Sequence, residues 1–252
     1  MSVLVDIGNT RIKLGHHADG VTHLVDAVAW RAAATGELGP RAALLSALEA
    51  LPNAPVLVSN VGGSTPLGLL CDALAELGRA APVTLGNPRD LHGLRCGYRE
   101  RSQLGLDRWF ALLGAWCRER GAAVVVDLGT AGTADLVDAD GLHRGGCIFA
   151  GVETQRRALA AGTAALPASD HQADRAFADN TLDAIAAGAR FAVAGAVDRM
   201  IAEAEATLGR PVARYLTGGS AEGVAALMQR DATHVPTLVM DGMLATWSAA
   251  GA

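Results

Sequence analysis

Val3-Leu4-Val5-Asp6-Ile7-Gly8-Asn9-Thr10-Arg11-Ile12-Lys13 is the stretch whose reading decides the fold. The apolar run Val3 to Val5 predicts a buried strand. Gly8-Asn9 predicts a hairpin turn able to take positive φ, and Arg11 to Leu14 an alternating return strand. Such a turn bares backbone N–H groups to an anion. Asn9 and Thr10 add side-chain donors, Lys13 adds a positive charge, and Asp6 at the strand end is placed to hold a cation between phosphate oxygens. Taken alone, the stretch reads first as a hairpin with an Asn turn and no ligand. Val124-Val125-Val126-Asp127-Leu128-Gly129-Thr130 is a near copy, repeating the apolar triplet, the acid, the spacer, the glycine and a threonine. Two hairpins of one design predict two similar domains, 1–115 and 116–252, each a mixed sheet flanked by helices, with the two turns facing one another across a cleft to grip a triphosphate.

Composition bounds the class. The chain has 252 residues, of which 50% are hydrophobic, enough for a substantial core in one large or two ordinary domains. A net charge of -5 without blocks of like charge gives no electrostatic reason to expect nucleic acid or an anionic membrane as partner. Cys71, Cys96, Cys117 and Cys147 are too widely spaced for a paired zinc motif and too few to staple the chain, so they are expected to be buried thiols in a reducing cytosol. Asp6 interrupts the first apolar run, and Asp127, Asp135 or Arg190 interrupt later ones, so neither a secretory signal nor a membrane span is expected.

Between the two turns, Val21 to Val28 predicts a third strand and Arg41 to Leu51 a helix ended by Pro52-Asn53. Val56 to Val61 predicts a strand running into Gly62-Gly63. Ser64 with Pro66 is expected to cap the helix Leu67 to Leu77. Ser59-Asn60 at the strand end reads first as a pair satisfying the turn and second as cleft lining. Gly86 to Gly105 reads as a loop, followed by Gly105-Leu106-Asp107-Arg108 in the first turn of a helix that continues to about Arg120. A carboxylate there is favoured by the helix dipole and stays ionised, which suits a proton acceptor.

The second half repeats the order: Ala122 to Val126, a return strand Thr133 to Val137, a turn at Asp138 to Gly141, and a third strand Gly145 to Phe149. A helix Val152 to Leu159 and an irregular stretch from Gly162 to Asp179 follow. Then a long amphipathic helix ends near Leu208, with Asn180 or Thr181 as its cap. Tyr215 to Thr217 enters Gly218-Gly219, a turn that lets a base or ribose approach the backbone. The last helix, around Leu238 to Trp247, is expected to close the core.

The paired turns resemble those of the actin, sugar-kinase and heat-shock-chaperone superfamily, whose domains are ribonuclease H-like. The full set is Asp6 to Thr10 with Lys13, Gly97-Tyr98, Gly105-Leu106-Asp107-Arg108, Asp127 to Ala131, Gly145-Gly146, Asn180-Thr181 and Thr217-Gly218-Gly219. In this order it resembles type III pantothenate kinase over nearly the whole chain. The resemblance implies phosphorylation of pantothenate by ATP, the first step of coenzyme A synthesis, by a cytoplasmic homodimer that requires a divalent metal such as Mg2+ and a monovalent cation such as K+ or NH4+. It also implies Asp6, Ile7, Gly8, Asn9, Thr10, Arg11, Ile12, Lys13 and Thr130 at ATP, with Asp6 as a possible divalent-metal ligand. Asp107 is the implied general base, and Tyr98, Gly105, Leu106, Arg108 and Thr181 line the pantothenate site. Asp127 is the implied monovalent-cation ligand. Ala150 stands where the family commonly has proline, which bears on the rigidity of that loop. A non-catalytic nucleotide-binding accessory protein and a kinase of another hydroxylated metabolite are the competing readings. The presence of Asp6, Asp107, Arg108 and Asp127 together argues against the first.

Overall fold

The apolar run at the start forms strand β1 (Ser2–Ile7), buried along its whole length. In the computed structural model, which describes residues 1–31, 39–88, 90–162 and 173–251, the chain divides into two units. Met1–Arg118 with Thr237–Ala252 form the first and Glu119–Pro236 the second.

In the first unit β1 is followed by β2 (Arg11–Ala18), β3 (Val21–Ala29), α1 (Pro40–Glu49), β4 (Val56–Asn60), α2 (Ser64–Glu76) and the short β5 (Val83–Thr84). The sheet order is β3-β2-β1-β4-β5, with β1 antiparallel to β2 and parallel to β4. Val3, Val5, Val56 and Val58 pack into one core with Leu44, Leu48, Leu70 and Leu74 of α1 and α2. The period of two along a strand therefore turns Asp6 and Ser59 to the other face. The segment expected to be a loop contains a small hairpin, β6 (Asp90–Leu91) and β7 (Leu94–Arg95), before α3 (Leu106–Arg118).

The second unit repeats the plan with β8 (Ala123–Leu128), β9 (Ala131–Val137), β10 (His143–Ala150), α4 (Val152–Gly162), α5 (Thr181–Leu208), β11 (Ala213–Thr217), α6 (Ala221–Ala225) and β12 (Thr233–His234). Its order, β10-β9-β8-β11-β12, matches that of the first sheet strand for strand, and β8 runs antiparallel to β9 and parallel to β11. Its core gathers Val124, Val126, Leu216 and the α5 residues Val193, Val197 and Ile201. This is the two-domain α/β architecture expected from the repeated turns.

The last helix, α7 (Leu238–Ala249), departs from the expected boundary at 115/116. It belongs to the first unit, where it packs along α3. Two glycines permit this: a Cβ on Gly114 would lie 2.2 Å from Leu238 O, and one on Gly242 would lie 2.0 Å from Phe110 O. The backbones touch where side chains would otherwise hold them apart.

Three local expectations are corrected. Neither Gly8 nor Asn9 has positive φ; the left-handed residues of this hairpin region are Asp19 and Gly20, between β2 and β3. Ser64 is the first residue of α2 and the N-cap is Gly63, without a side-chain cap bond. Cys71 and Cys117 are exposed and only Cys96 is buried, because the first two fall on outward positions of their helices. Most of the irregular stretch expected after Gly162 lies outside the described residues.

Candidate active site

Each sheet places an aspartate at the carboxyl end of its central strand, beside the turn to the next strand. In the first turn Ile7 pairs with Ile12, and Gly8 N–H donates to Arg11 O at 2.9 Å. In the second, Leu128 pairs with Gly132, and Gly129 N–H donates to Ala131 O at 3.1 Å, so this turn is one residue tighter. The extra residue is Asn9, which is exposed and leaves a wider mouth in the first turn.

The wider turn is held from behind. Trp30 Nε1 donates to Gly8 O at 3.0 Å and Trp30 N–H to Thr10 O at 3.1 Å. Gly62 seats against the same carbonyl, since a Cβ there would approach Gly8 O to 2.5 Å. The second turn is braced in the same way: Gly151 N–H and Thr154 Oγ1 both donate to Thr130 O, and a Cβ on Gly151 would lie 2.2 Å from Gly129 O. Ala150, in the place of the family's proline, accepts a bond from Gln155 Nε2 at 2.9 Å. Braced turns of this kind keep backbone and hydroxyl groups in fixed places, as binding of a polyanion requires.

The two aspartates differ in what stands next to them. Asp6 is paired in register with Lys13, and its Oδ2 lies 3.7 Å from Lys13 Nζ. Asp127 is paired with Thr133, a neutral residue, and its Oδ1 is buried without a hydrogen-bond partner. Gly218, at φ +96, comes so close that a Cβ would lie 2.4 Å from that same Oδ1. A buried carboxylate oxygen with a neutral residue across the ladder fits a hard cation. Asp6 already faces a lysine. Among the described residues no group of three or more His, Cys, Asp or Glu side chains converges on a ready-made metal site. A divalent ion at Asp6 would thus be held by one carboxylate with phosphate and water oxygens, the usual manner of Mg2+.

The start of α3 explains the Gly-x-Asp-Arg spacing. A Cβ on Gly105 would lie 2.6 Å from Asp107 Oδ1, so glycine leaves that carboxylate free to sit where it does and a side chain there would make it turn away. Asp107 Oδ1 accepts from the Arg108 N–H at 2.8 Å, in the first turn of α3, where the N-terminal end of the helix dipole favours a negative side chain. Arg108 is buried, its guanidinium 5.4 Å from the centre of the Tyr98 ring, a cation–π contact that joins two residues expected at the substrate. Within the first unit the structure therefore groups Asp6 with Lys13, and Tyr98 with Arg108 beside Asp107. Asp127, Thr130, Thr181 and Gly218 belong to the second.

At α5 the cap is Asn180, whose side chain accepts from Asp183 N–H at 3.0 Å; Thr181 is exposed and takes no part in the cap. Sequence reasoning did not single out the bracing residues Trp30, Gly62 and Thr154. The glycine after each parallel strand was the available signal, since it recurs at Gly62 and Gly218.

The family model for type III pantothenate kinase matches residues 2–203 of the chain. The chain is 38% identical over 248 residues to the type III pantothenate kinase of Azoarcus sp. (strain BH72), covering 96% of this chain and 89% of that protein. It is 40% identical over 230 residues to that of Dechloromonas aromatica (strain RCB), covering 89% and 90%. Among solved structures, a candidate Baf family transcriptional activator from Campylobacter jejuni is similar at a TM-score of 0.57 and 23% identity, over 98% of both chains. A candidate 2-dehydro-3-deoxygalactonokinase from Sinorhizobium meliloti is similar at a TM-score of 0.55 and 16% identity, over 100% and 99%. At those identities the two structures speak for the fold alone.

Proposed function

The chain belongs to the type III pantothenate kinase family, and from that premise we infer that it transfers the γ-phosphoryl group of ATP to the primary hydroxyl of pantothenate. The observation that carries the reading is the carboxylate of Asp107, held in the first turn of α3 by the space at Gly105 and the Arg108 amide. The hydroxyl oxygen bonds to the γ-phosphorus as the bond from phosphorus to the β,γ-bridging oxygen breaks. Asp107 takes the hydroxyl proton. Arg108 and Tyr98 bind pantothenate, with Arg108 as the partner of its carboxylate, and Gly105, Leu106 and Thr181 complete that site. Residues Asp6 to Lys13 and Thr130 bind the phosphates of ATP.

Potassium or ammonium at Asp127, and magnesium near Asp6 with the nucleotide, supply neutralisation of phosphate charge. The chemistry of each donor set supports these assignments: a buried carboxylate oxygen without a partner at Asp127, and a single carboxylate beside a phosphate turn at Asp6. The active protein is a cytoplasmic homodimer in this reading; among the described residues no helix is long and apolar enough to cross a membrane.

The test is ADP release from ATP and magnesium, with and without pantothenate, in potassium and in sodium buffer. Release that requires pantothenate and rises with potassium is expected, and Asp127→Asn should flatten the potassium response while leaving the fold intact. Release independent of pantothenate would overturn the acceptor, and a potassium response unchanged in Asp127→Asn would move the cation elsewhere.

A further inference from the structure

Ser59 and Asn60 end β4 side by side, yet they do different things. Asn60 serves the turn: its Oδ1 accepts from Gly62 N–H at 3.0 Å and Gly63 N–H at 3.1 Å, and its Nδ2 donates to Gly63 O at 3.1 Å. Ser59 is 0% exposed and its Oγ has no hydrogen-bond partner. A buried hydroxyl in that condition is costly, and in a folded protein it calls for a reason.

Its position says what that is. Ser59 is in parallel register with Asp6, as Lys13 is in antiparallel register with Asp6, so the three side chains form a row on one face across β2, β1 and β4. Neighbouring strands stand about 4.8 Å apart, which places the serine hydroxyl beside the aspartate carboxylate. This is the face against which α3 packs. The second unit carries the same row as Thr133, Asp127 and Thr217, and there the hydroxyl is occupied: Thr217 Oγ1 donates to Pro236 O at 3.4 Å. The Ser59 hydroxyl, at the matching place in the first unit, has no such acceptor among the described residues.

We propose that Ser59 is a positioning residue for the phosphate site: its hydroxyl donates to the Asp6 carboxylate when that carboxylate turns to a cation-bound nucleotide, fixing which oxygen faces the ion. The proposal rests on the reading of Asp6 as part of that site, and the experiment separates the two. Nucleotide-induced stabilisation of the full chain against heat is titrated with magnesium at saturating ATP for wild type, Ser59→Ala, Ser59→Thr and Asp6→Asn. Ser59→Ala without ligand should melt at or above the wild-type temperature, because it deletes an unsatisfied buried group. Its half-saturating magnesium concentration should rise about tenfold, the scale of a lost hydrogen bond to a charged group, and Ser59→Thr should restore it. A purely structural serine would leave the magnesium titration unmoved, and that result overturns the proposal. Should Ser59→Ala not fold, Ser59→Cys, nearly the same size and a weak donor, is read in the same way. Asp6→Asn tests the premise: unchanged magnesium dependence there removes Asp6 from the site, whereas its loss there with no change in Ser59→Ala removes Ser59 alone.

Discussion

Asp107 is held in place by two neighbours in the chain, a glycine with no Cβ to crowd it and an amide that donates to it. Asp107→Asn keeps the shape and removes the carboxylate proposed as proton acceptor. We expect turnover to fall by about 100-fold or more, the usual weight of a general base, while ATP still stabilises the protein against heat. Turnover close to wild type would take Asp107 out of the mechanism. Asp6 and Asp127 show how little separates two local settings at this scale. Both end a central strand beside a glycine turn, and the residue across the ladder is a lysine for one and a threonine for the other. The aspartates and their glycines were legible in the sequence. Their cross-strand neighbours were not, since register depends on the length of the turn, and the two turns differ by one residue.

At the scale of elements, the firmest local contact is between α3 and α7. α3 is buried on nearly every face from Arg108 to Trp116, and it carries Asp107 and Arg108 in its first turn. Its axis is set by the close backbone approach at Gly114 and Gly242. Gly242→Ala puts a methyl group into Phe110 O, and an overpacked backbone contact of this kind is expected to cost about 3 kcal/mol or more. Urea unfolding monitored by Trp109 and Trp116 fluorescence measures it; a loss under about 1 kcal/mol would show that the helices separate without strain. The helical periodicity of both segments was readable, as was the apolar character of α7. Which helix α7 meets was not, because a glycine reads in sequence as a weak point in a helix and only in the packed structure as the contact itself.

The whole molecule is two copies of one sheet plan with one exchange: the chain leaves the first unit at Arg118, builds the second, and returns at Thr237. Removing residues 237–252 therefore strips a buried helix from the unit at the opposite end of the sequence. That truncation is expected to make Met1–Arg118 sensitive to protease while Glu119–Pro236 stays resistant, as read by mass spectrometry of limited digests; a resistant first unit would place α7 elsewhere. The sequence by itself determined the two Asp-x-Gly turns, the strands that lead into them, the helix beginning at Asp107 and the repetition that makes two units. Each is written in residues adjacent in the chain or in the period of two or 3.6 that a strand or helix imposes. Only the tertiary structure decided that Ser59 stands in register with Asp6 while Asn60 serves the turn, that Lys13 lies across the ladder from one aspartate and Thr133 from the other, and that the last helix completes the first unit. Those outcomes rest on register between strands and on close packing between helices, which join residues far apart in the chain and leave no mark in local periodicity.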